Sequence, residues 1–277
     1  MLNLLQRHAA SVERRLVVLA PPDERVPAFF QRVTADDSKR ADWLRAVQQL
    51  RGAVYLSDGA VQRHQLTPDG RHTTPEDERA WHILTRDPAG SVTSCIWYLE
   101  HRNAQSIYDV RTRHCPLVRS KEWRERIREA VAAEMRAAKD SGVRFAEVGG
   151  WAVSPEHRCT GDGLILALAS FSLSLSLGGA IGLTTATVRH SSAMMLRRLG
   201  LSPLEVKGGS VPAYFDPAYQ CDMELLRFDS RRPSPKYLGI VDLLRERLEL
   251  VNVFANLGPV RAVAPARVAP LAPSFAA

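Results

Sequence analysis

The residues with the clearest chemical potential stand together in Val153-Ser-Pro-Glu-His-Arg158-Cys-Thr-Gly161-Asp-Gly163, where a strand end runs through a proline turn into two spaced glycines at a helix start. Such a junction binds phosphate. The first backbone N–H groups of a helix have no intrahelical partners, converge on one spot and carry the positive end of the helix dipole. Glycine lets an anion approach with no Cβ in the way. Taken alone, the same spacing also describes a tight strand-to-helix turn without a ligand, and both readings stand at this point. Two nucleotide patterns are excluded: no third glycine completes a dinucleotide fingerprint, and no Gly-Lys-Ser/Thr closes a P-loop. Cys95, Cys115, Cys159 and Cys221 form no CxxC pair, so neither a zinc site nor a redox pair is indicated, and no metal is expected.

A cradle of this kind needs a strand in front of it and a helix behind it. Residues 143 to 153 have strand composition, and the adjacent Gly149 and Gly150 predict a bulge or a close backbone approach. Leucines and serines alternate from Phe171 to Leu177 as in a strand, while Leu164, Leu168, Phe171 and Leu175 equally make a helical stripe. Length decides for a buried helix from Gly161 to Leu177, closed by Gly178-Gly179. Ala180 to Val188 then reads as a strand, Ser191 to Leu199 as a short helix and Met223 to Phe228 as a last strand.

Upstream, Ala80–Thr85 and Ser91–Leu99 predict a hairpin around Asp87-Pro-Ala-Gly90, and Glu122 to Lys139 a helix with Trp123, Ile127 and Val131 on one stripe. Phe29 to Val33 reads as a first strand and Ser38 to Leu50 as a helix, with a polar loop at 57–78. Residues 1–25 read as an N-terminal helical extension, 26–230 as the main domain, 231–257 as a C-terminal amphipathic helix, and 258–277 as a disordered Ala/Pro-rich tail. The order is α+β: a mixed, mostly antiparallel central sheet flanked by helices.

A chain of 277 residues with 45% hydrophobic and 24% charged residues has the composition of a globular protein, and its net charge of +7 suits an acidic partner. Basic residues are scattered rather than massed, and no zinc-finger or RNA-recognition spacing occurs, so nucleic acid ranks below a nucleotide-bearing ligand or an acidic carrier protein. The longest apolar run near the start, Leu16 to Ala20, is too short for a signal core or a membrane span, and a reduced, cytoplasmic setting is expected.

Arg158-x-x-Gly161-x-Gly163 after Ala152-Val153-x-Pro155 resembles the acyl-CoA-binding signature of the GNAT superfamily, which lies between a bulged central strand and a long helix. Within it the chain is most similar to the acyl-homoserine-lactone synthases and N-acyl amino acid synthases. That likeness rests on Leu50-Arg51-x-x-Val54-Tyr55, Asp69-Gly70, Asp77-Glu78-x-x-Trp81-His82-Ile83-Leu84 and Glu147-Val-Gly-Gly-Trp-Ala-Val153.

The resemblance implies transfer of an acyl group from acyl-CoA or acyl-carrier protein to the amine of a small acceptor such as an amino acid. It implies a pyrophosphate held by Arg158, Cys159, Thr160, Gly161, Asp162 and Gly163, and a Val153 N–H that polarises the thioester carbonyl. Glu147 falls where the group carries a strand glutamate and is the base candidate; the alternative is a strand glutamate facing solvent or in a salt bridge. The usual thiolate-protonating tyrosine is absent, which leaves water or His190, and Arg189 and His190 are alternatively phosphate contacts. The arginine expected after Glu-x-Ser is Gly150 here. Cys159, beside His157, is the rival nucleophile. Trp81, Trp97, Trp151 and Phe171 are candidates for an acyl pocket, and residues 57–78 and 211–222 for the acceptor site. The departures also admit a GNAT-fold protein that binds acyl-CoA without turnover, and the C-terminal helix admits a homodimer.

Overall fold

The computed structural model describes residues 2–22 and 24–256. Its elements are α1 (Leu2–Ala10), β1 (Leu16–Leu19), β2 (Arg32–Ala35), α2 (Asp37–Ser57), β3 (Trp81–Arg86), β4 (Val92–Glu100), α3 (Arg124–Asp140), β5 (Arg144–Val153), α4 (Asp162–Ser176), β6 (Ala180–Thr187), α5 (Ser192–Leu199), β7 (Ser202–Pro203), β8 (Glu205–Val206), β9 (Gly209–Ser210), β10 (Tyr214–Asp216), β11 (Cys221–Asp229), α6 (Leu238–Leu248) and β12 (Asn252–Ala255). Short 3-10 turns fill the loops between α2 and β3 and between β4 and α3.

One sheet runs β10-β11-β6-β5-β4-β3-β1-β12-β2, with β7 added to β11 and β8-β9 forming a separate ribbon. Most pairs are antiparallel; β5-β6, β1-β12 and β12-β2 are parallel. On one face α4 packs with α1 and α6 in a core that includes Leu5, Ile165, Leu168, Phe228 and Leu244. Opposite, α3 covers Phe145, Ile181 and Leu225, and α2 covers Val17, Leu84 and Ala152. Helix α4 is therefore buried nearly all round, which explains its lack of a polar stripe. Two of its buried serines are satisfied within the helix, Ser170 Oγ donating to Ala167 O (2.7 Å) and Ser172 Oγ to Leu168 O (3.0 Å).

The mixed, helix-flanked sheet expected from the sequence is present, and α4 is the helix that length favoured. Two boundary expectations are corrected. The N-terminal helix stops at Ala10, and Leu16–Leu19, read as part of a helical extension, is β1, paired with β3 and β12. All four of its residues are buried, and a strand covered on both faces shows no alternation to separate it from a helix. Likewise the C-terminal helix ends at Leu248, and Asn252–Ala255 is β12, inserted between β1 and β2 with Val253 and Ala255 buried. Helix α6 packs on α4 and α1 of its own chain through Ile240, Val241, Leu244 and Leu248. The Ala/Pro-rich tail at 258–277 lies outside the described residues. Among those described, no helix is long and apolar enough to cross a membrane.

Candidate functional site

The central feature is a split in the sheet. β5 and β6 pair from Arg144↔Ala180 to Val148↔Thr184, and the register ends there although β5 runs on to Val153 and β6 to Thr187. β5 meanwhile stays on β4, reaching Ser94↔Val153, with a bulge where Gly149 to Ala152 faces Trp97 to Cys95. Gly150 sits in the bulge at φ 61°. A Cβ there would overlap the Trp97 indole and come within 3.1 Å of Arg51 Nη1. No arginine side chain fits at this position; the positive charge beside the bulge comes instead from α2, as Arg51. Ser154 N–H donates to Thr93 O on the β4 side (2.9 Å), so the N–H of Val153, one residue earlier, points the other way, into the split.

A cavity of about 800 Å³ passes through this split. At its mouth lie Arg158, Cys159, Gly161 and Gly163, with Gly161 left-handed at φ 93° as the N-cap of α4 and Cys159 left-handed at φ 66°. A Cβ on Gly163 would come to 3.3 Å from both Trp151 Cζ2 and Val153 Cγ2, so strand and helix start are in close contact there. Thr160 and Asp162 do not line the cavity. Thr160 Oγ1 donates to His157 O (2.7 Å), and the buried Asp162 carboxylate is paired with Arg15 (3.2 Å). Their contribution to the cradle is backbone only.

Asp58, at the C-terminal end of α2, ties the mouth together: Arg158 Nη2 donates to both its oxygens (3.0 and 2.8 Å), Arg189 Nη1 donates to its carbonyl (2.9 Å), and His190 Nε2 is 3.7 Å from the carboxylate. His190 thus stands beside Arg158 at the mouth of the cavity. Cys159 is exposed, and the neighbouring His157 uses Nδ1 on Ser154 Oγ (2.9 Å).

Along the split the lining is apolar, with Trp97, Trp151, Leu164, Ala167, Phe171 and Phe228. Trp81, grouped with these by sequence, does not line the cavity and stacks on Phe30 instead, ring centroids 6.0 Å apart. The remainder of the lining is a polar chamber. Arg51, Tyr55, His72, Thr74 and Arg111 face it, as does Tyr219 from the 211–222 stretch.

Glu147 also lines the chamber but is only 3% exposed and accepts four hydrogen bonds: His101 Nε2–H (2.8 Å), the N–H groups of Arg111 (2.7 Å) and Thr112 (2.8 Å), and Thr112 Oγ1–H (2.6 Å). Burial pushes its pKa up, yet these donors, led by His101, hold it below the usual carboxylate range. It is a fully occupied anchor for the segment carrying Arg111 and Thr112.

Arg51 is 1% exposed; its Nη2 donates to Asp77 Oδ2 (2.6 Å) and His72 O (2.8 Å), while Nε and Nη1 are buried with no partner among the described residues. Burial pushes the Asp77 carboxyl up, and the guanidinium overrides it and holds the group ionised. His72 Nδ1 is also buried and unpartnered. Burial, reinforced by Arg51, lowers its pKa from 6.5 to about 4, and the fully enclosed His82 is lowered to about 4 chiefly by burial.

The sign of the resulting pH dependence follows. Between pH 6.5 and about 4 the unfolded chain binds protons that the native rings refuse, so stability falls as pH falls through that window. The loss is on the order of 3 kcal/mol for the enclosed His82 and smaller for His72, whose ring is partly exposed and screened by solvent. Urea titrations at the two ends of the window should show it, with a smaller loss in His82→Gln.

The cradle, Val153, Glu147 and His190 were all singled out in the sequence, and all but Thr160 and Asp162 line one cavity. Arg51 and Arg111 were given no role, and His72 was covered only by the acceptor-site expectation for residues 57–78 as a whole. The available signal was Arg51 itself: it falls on the buried stripe of α2 with Leu44, Val47 and Val54, where an unpaired charge is not tolerated.

No protein-family model matches the chain, and no curated protein matches it. Solved structures do. The chain is similar to the CoA-dependent acyl-homoserine lactone synthase BjaI with SAM and isopentyl-CoA, at 14% identity and TM-score 0.51, covering 89% of this chain and 95% of that one. The structure of BjaI with MTA matches with the same values. The chain therefore shares its fold with the acyl-homoserine lactone synthases, the GNAT-like architecture that its sequence resembles.

Proposed function

We propose that the protein is an N-acyltransferase that moves an acyl group from a pantetheine thioester, acyl-CoA or acyl-carrier protein, to the amine of a small carboxylate-bearing acceptor such as an amino acid. The observation that carries this reading is the through-sheet cavity, with a phosphate cradle at its mouth and a buried, half-unpartnered guanidinium in its polar chamber. A pantetheine arm laid in the split takes the place of the missing β5-β6 pairing. Its phosphates meet Arg158, Arg189, His190 and the free N–H groups at the start of α4. The thioester carbonyl lies against the Val153 N–H, which stabilises the oxyanion as the tetrahedral intermediate forms. Trp151, Phe171 and the apolar stretch receive the acyl chain. The buried Arg51 guanidinium, at the wall of the polar chamber, supplies the positive charge that an acceptor carboxylate complements.

BjaI, which shares the fold, is CoA-dependent and was solved with isopentyl-CoA, which supports a CoA ester as donor. The test is thiol release and mass-spectrometric detection of N-acyl product with acetyl-, decanoyl- and palmitoyl-CoA against the twenty amino acids. Failure to release CoA with any pair, and with acyl-carrier protein as donor, would overturn the reading.

Two substitutions at the mouth have opposite expected signs. Arg158→Ala removes a phosphate contact and should weaken CoA-ester binding about tenfold. Asp58→Asn removes the carboxylate that competes with phosphate for Arg158, and should tighten binding about threefold at low salt, the gain shrinking as salt is added. Thermal shift against CoA concentration reads both.

A further inference from the structure

The N-terminal stretch has no part in the chemistry described so far, yet it backs the phosphate cradle. A Cβ on Gly161, the N-cap of α4, would lie 3.4 Å from Leu5 Cδ2 and 3.7 Å from His8 Nδ1, so α1 is packed directly against the start of α4. Beyond α1 the chain turns and reaches Arg15, whose backbone is held on both sides: its N–H donates to Val12 O (2.9 Å), and its carbonyl accepts from Arg86 N–H (3.0 Å). From that fixed point Arg15 Nη1 donates to Asp162 Oδ1 (3.2 Å).

The pair matters because of where Asp162 stands. It is the first residue of α4, and the next two, Gly163 and Leu164, line the cavity with N–H groups that donate to no other described residue. A carboxylate in the first turn stabilises the helix, but it draws on the same positive dipole end that must attract phosphate. The Asp162 side chain is 3% exposed, so water and salt screen it little, and its repulsion acts on any anion bound at Gly163 and Leu164. Arg15, which does not line the cavity, brings the compensating charge.

We infer that Arg15 is a positioning residue of the thioester site: it neutralises the buried Asp162 carboxylate, so that the start of α4 keeps its attraction for the phosphates of a CoA ester that Arg15 itself does not touch. The inference rests on the reading above for its ligand, a CoA ester seated on the cradle. Its effect is confined to the phosphate end, because the thioester, the acyl chain and the acceptor lie farther along the split.

The experiment is isothermal titration of the full chain with decanoyl-CoA and with S-decanoyl-pantetheine, which has the same thioester and acyl chain and no phosphate. Arg15→Gln should weaken decanoyl-CoA about tenfold and S-decanoyl-pantetheine by less than about twofold. Arg15→Lys keeps the charge and should stay within about threefold of wild type for both. Asp162→Asn has the opposite sign: it retains the backbone of the cradle, leaves Arg15 as an uncompensated cation, and should tighten decanoyl-CoA about threefold. A pair that only braced the fold would give no change or weaker binding on losing either member. Arg15→Gln combined with Asp162→Asn removes both charges and should return decanoyl-CoA to within about threefold of wild type.

Arg15→Gln that leaves decanoyl-CoA within about twofold, or that weakens both ligands alike, overturns the inference. So does an Asp162→Asn protein that binds decanoyl-CoA more weakly, and this sign decides the matter if Arg15→Gln fails to fold. A wild-type protein that binds both ligands equally well removes the cradle, and the inference with it, while leaving acyl transfer from another pantetheine thioester standing. One that binds neither removes the acyl-transfer reading itself.

Discussion

Arg51→Met is expected to lower the free energy of unfolding by about 3–5 kcal/mol, because it strands a carboxylate rather than merely deleting a hydrogen bond. Arg51 and Asp77 are each 1% exposed. Without the guanidinium, Asp77 Oδ2 keeps only Gln48 Nε2–H and the Thr74 N–H, both at 3.0 Å, while Oδ1 has no partner among the described residues even now. For a chain of this size the loss should appear as a fall in Tm of about 10 °C. Adding Asp77→Asn removes the stranded charge, and the double variant should recover at least half of the stability. On the proposed function it should not recover turnover with amino acids, because the positive charge proposed to complement the acceptor's carboxylate is gone. Denaturant titration and product formation, measured on both variants, separate the scaffold role of Arg51 from its role toward the acceptor.

Gly150→Ala carries the second large expected effect, about 2–4 kcal/mol of stability together with at least a tenfold loss of turnover. Two penalties add at this residue. Its φ of 61° disfavours any Cβ, and that Cβ would also overlap the Trp97 indole, which is itself buried and lines the cavity. The control is Gly90→Ala in the β3-β4 turn, where φ is 93° and nothing lies within 4 Å of the new methyl group. It should show the backbone cost alone, about 1–2 kcal/mol, with full activity. Trp97→Leu on the Gly150→Ala background should return part of the stability by vacating the overlapped volume. Equal losses at the two glycines would mean that the indole moves aside freely and that the bulge tolerates a side chain.

What was legible in the sequence follows from how locally each feature is encoded. The cradle is one continuous stretch, from Val153 through Pro155 to Gly163, so turn residues and spacing were enough to find it. The split was foreshadowed by Gly149-Gly150, since paired glycines inside a strand mark a break in its pairing. α4 was recoverable although Ser170, Ser172 and Ser174 imitate strand alternation, because its length exceeded what a strand takes; the structure adds that Ser170 and Ser172 satisfy their hydroxyls within the helix backbone.

The polar chamber had no such encoding. Arg51, His72, Arg111, Glu147 and Tyr219 come from five separate segments, and only the sheet order brings them together. Glu147 was visible as a strand glutamate, but the donors that occupy it belong to the turns around residues 111–112, whose path no periodicity gives. β1 was misread because it is covered on both faces and carries no alternation, whereas β12 does alternate in burial but spans only four residues, too few to set a period of two against the helical pattern of α6 just before it.

The position of β12 also governs the order in which the protein can be assembled during synthesis. Its residues are translated after every other element described, yet β12 lies between β1 and β2, both of which leave the ribosome near the start. At ordinary elongation speeds the early segments wait for about 10–50 s before their spacer strand exists. Until then β1 offers one open edge, and Arg32–Ala35 has no partner at all within its sheet. The cradle half, from β5 through β11, can close while the ribosome is still working. The flank formed by β1, β12 and β2 must zip last, and until it does its open strand edges are where the nascent protein is most exposed to pairing with another chain.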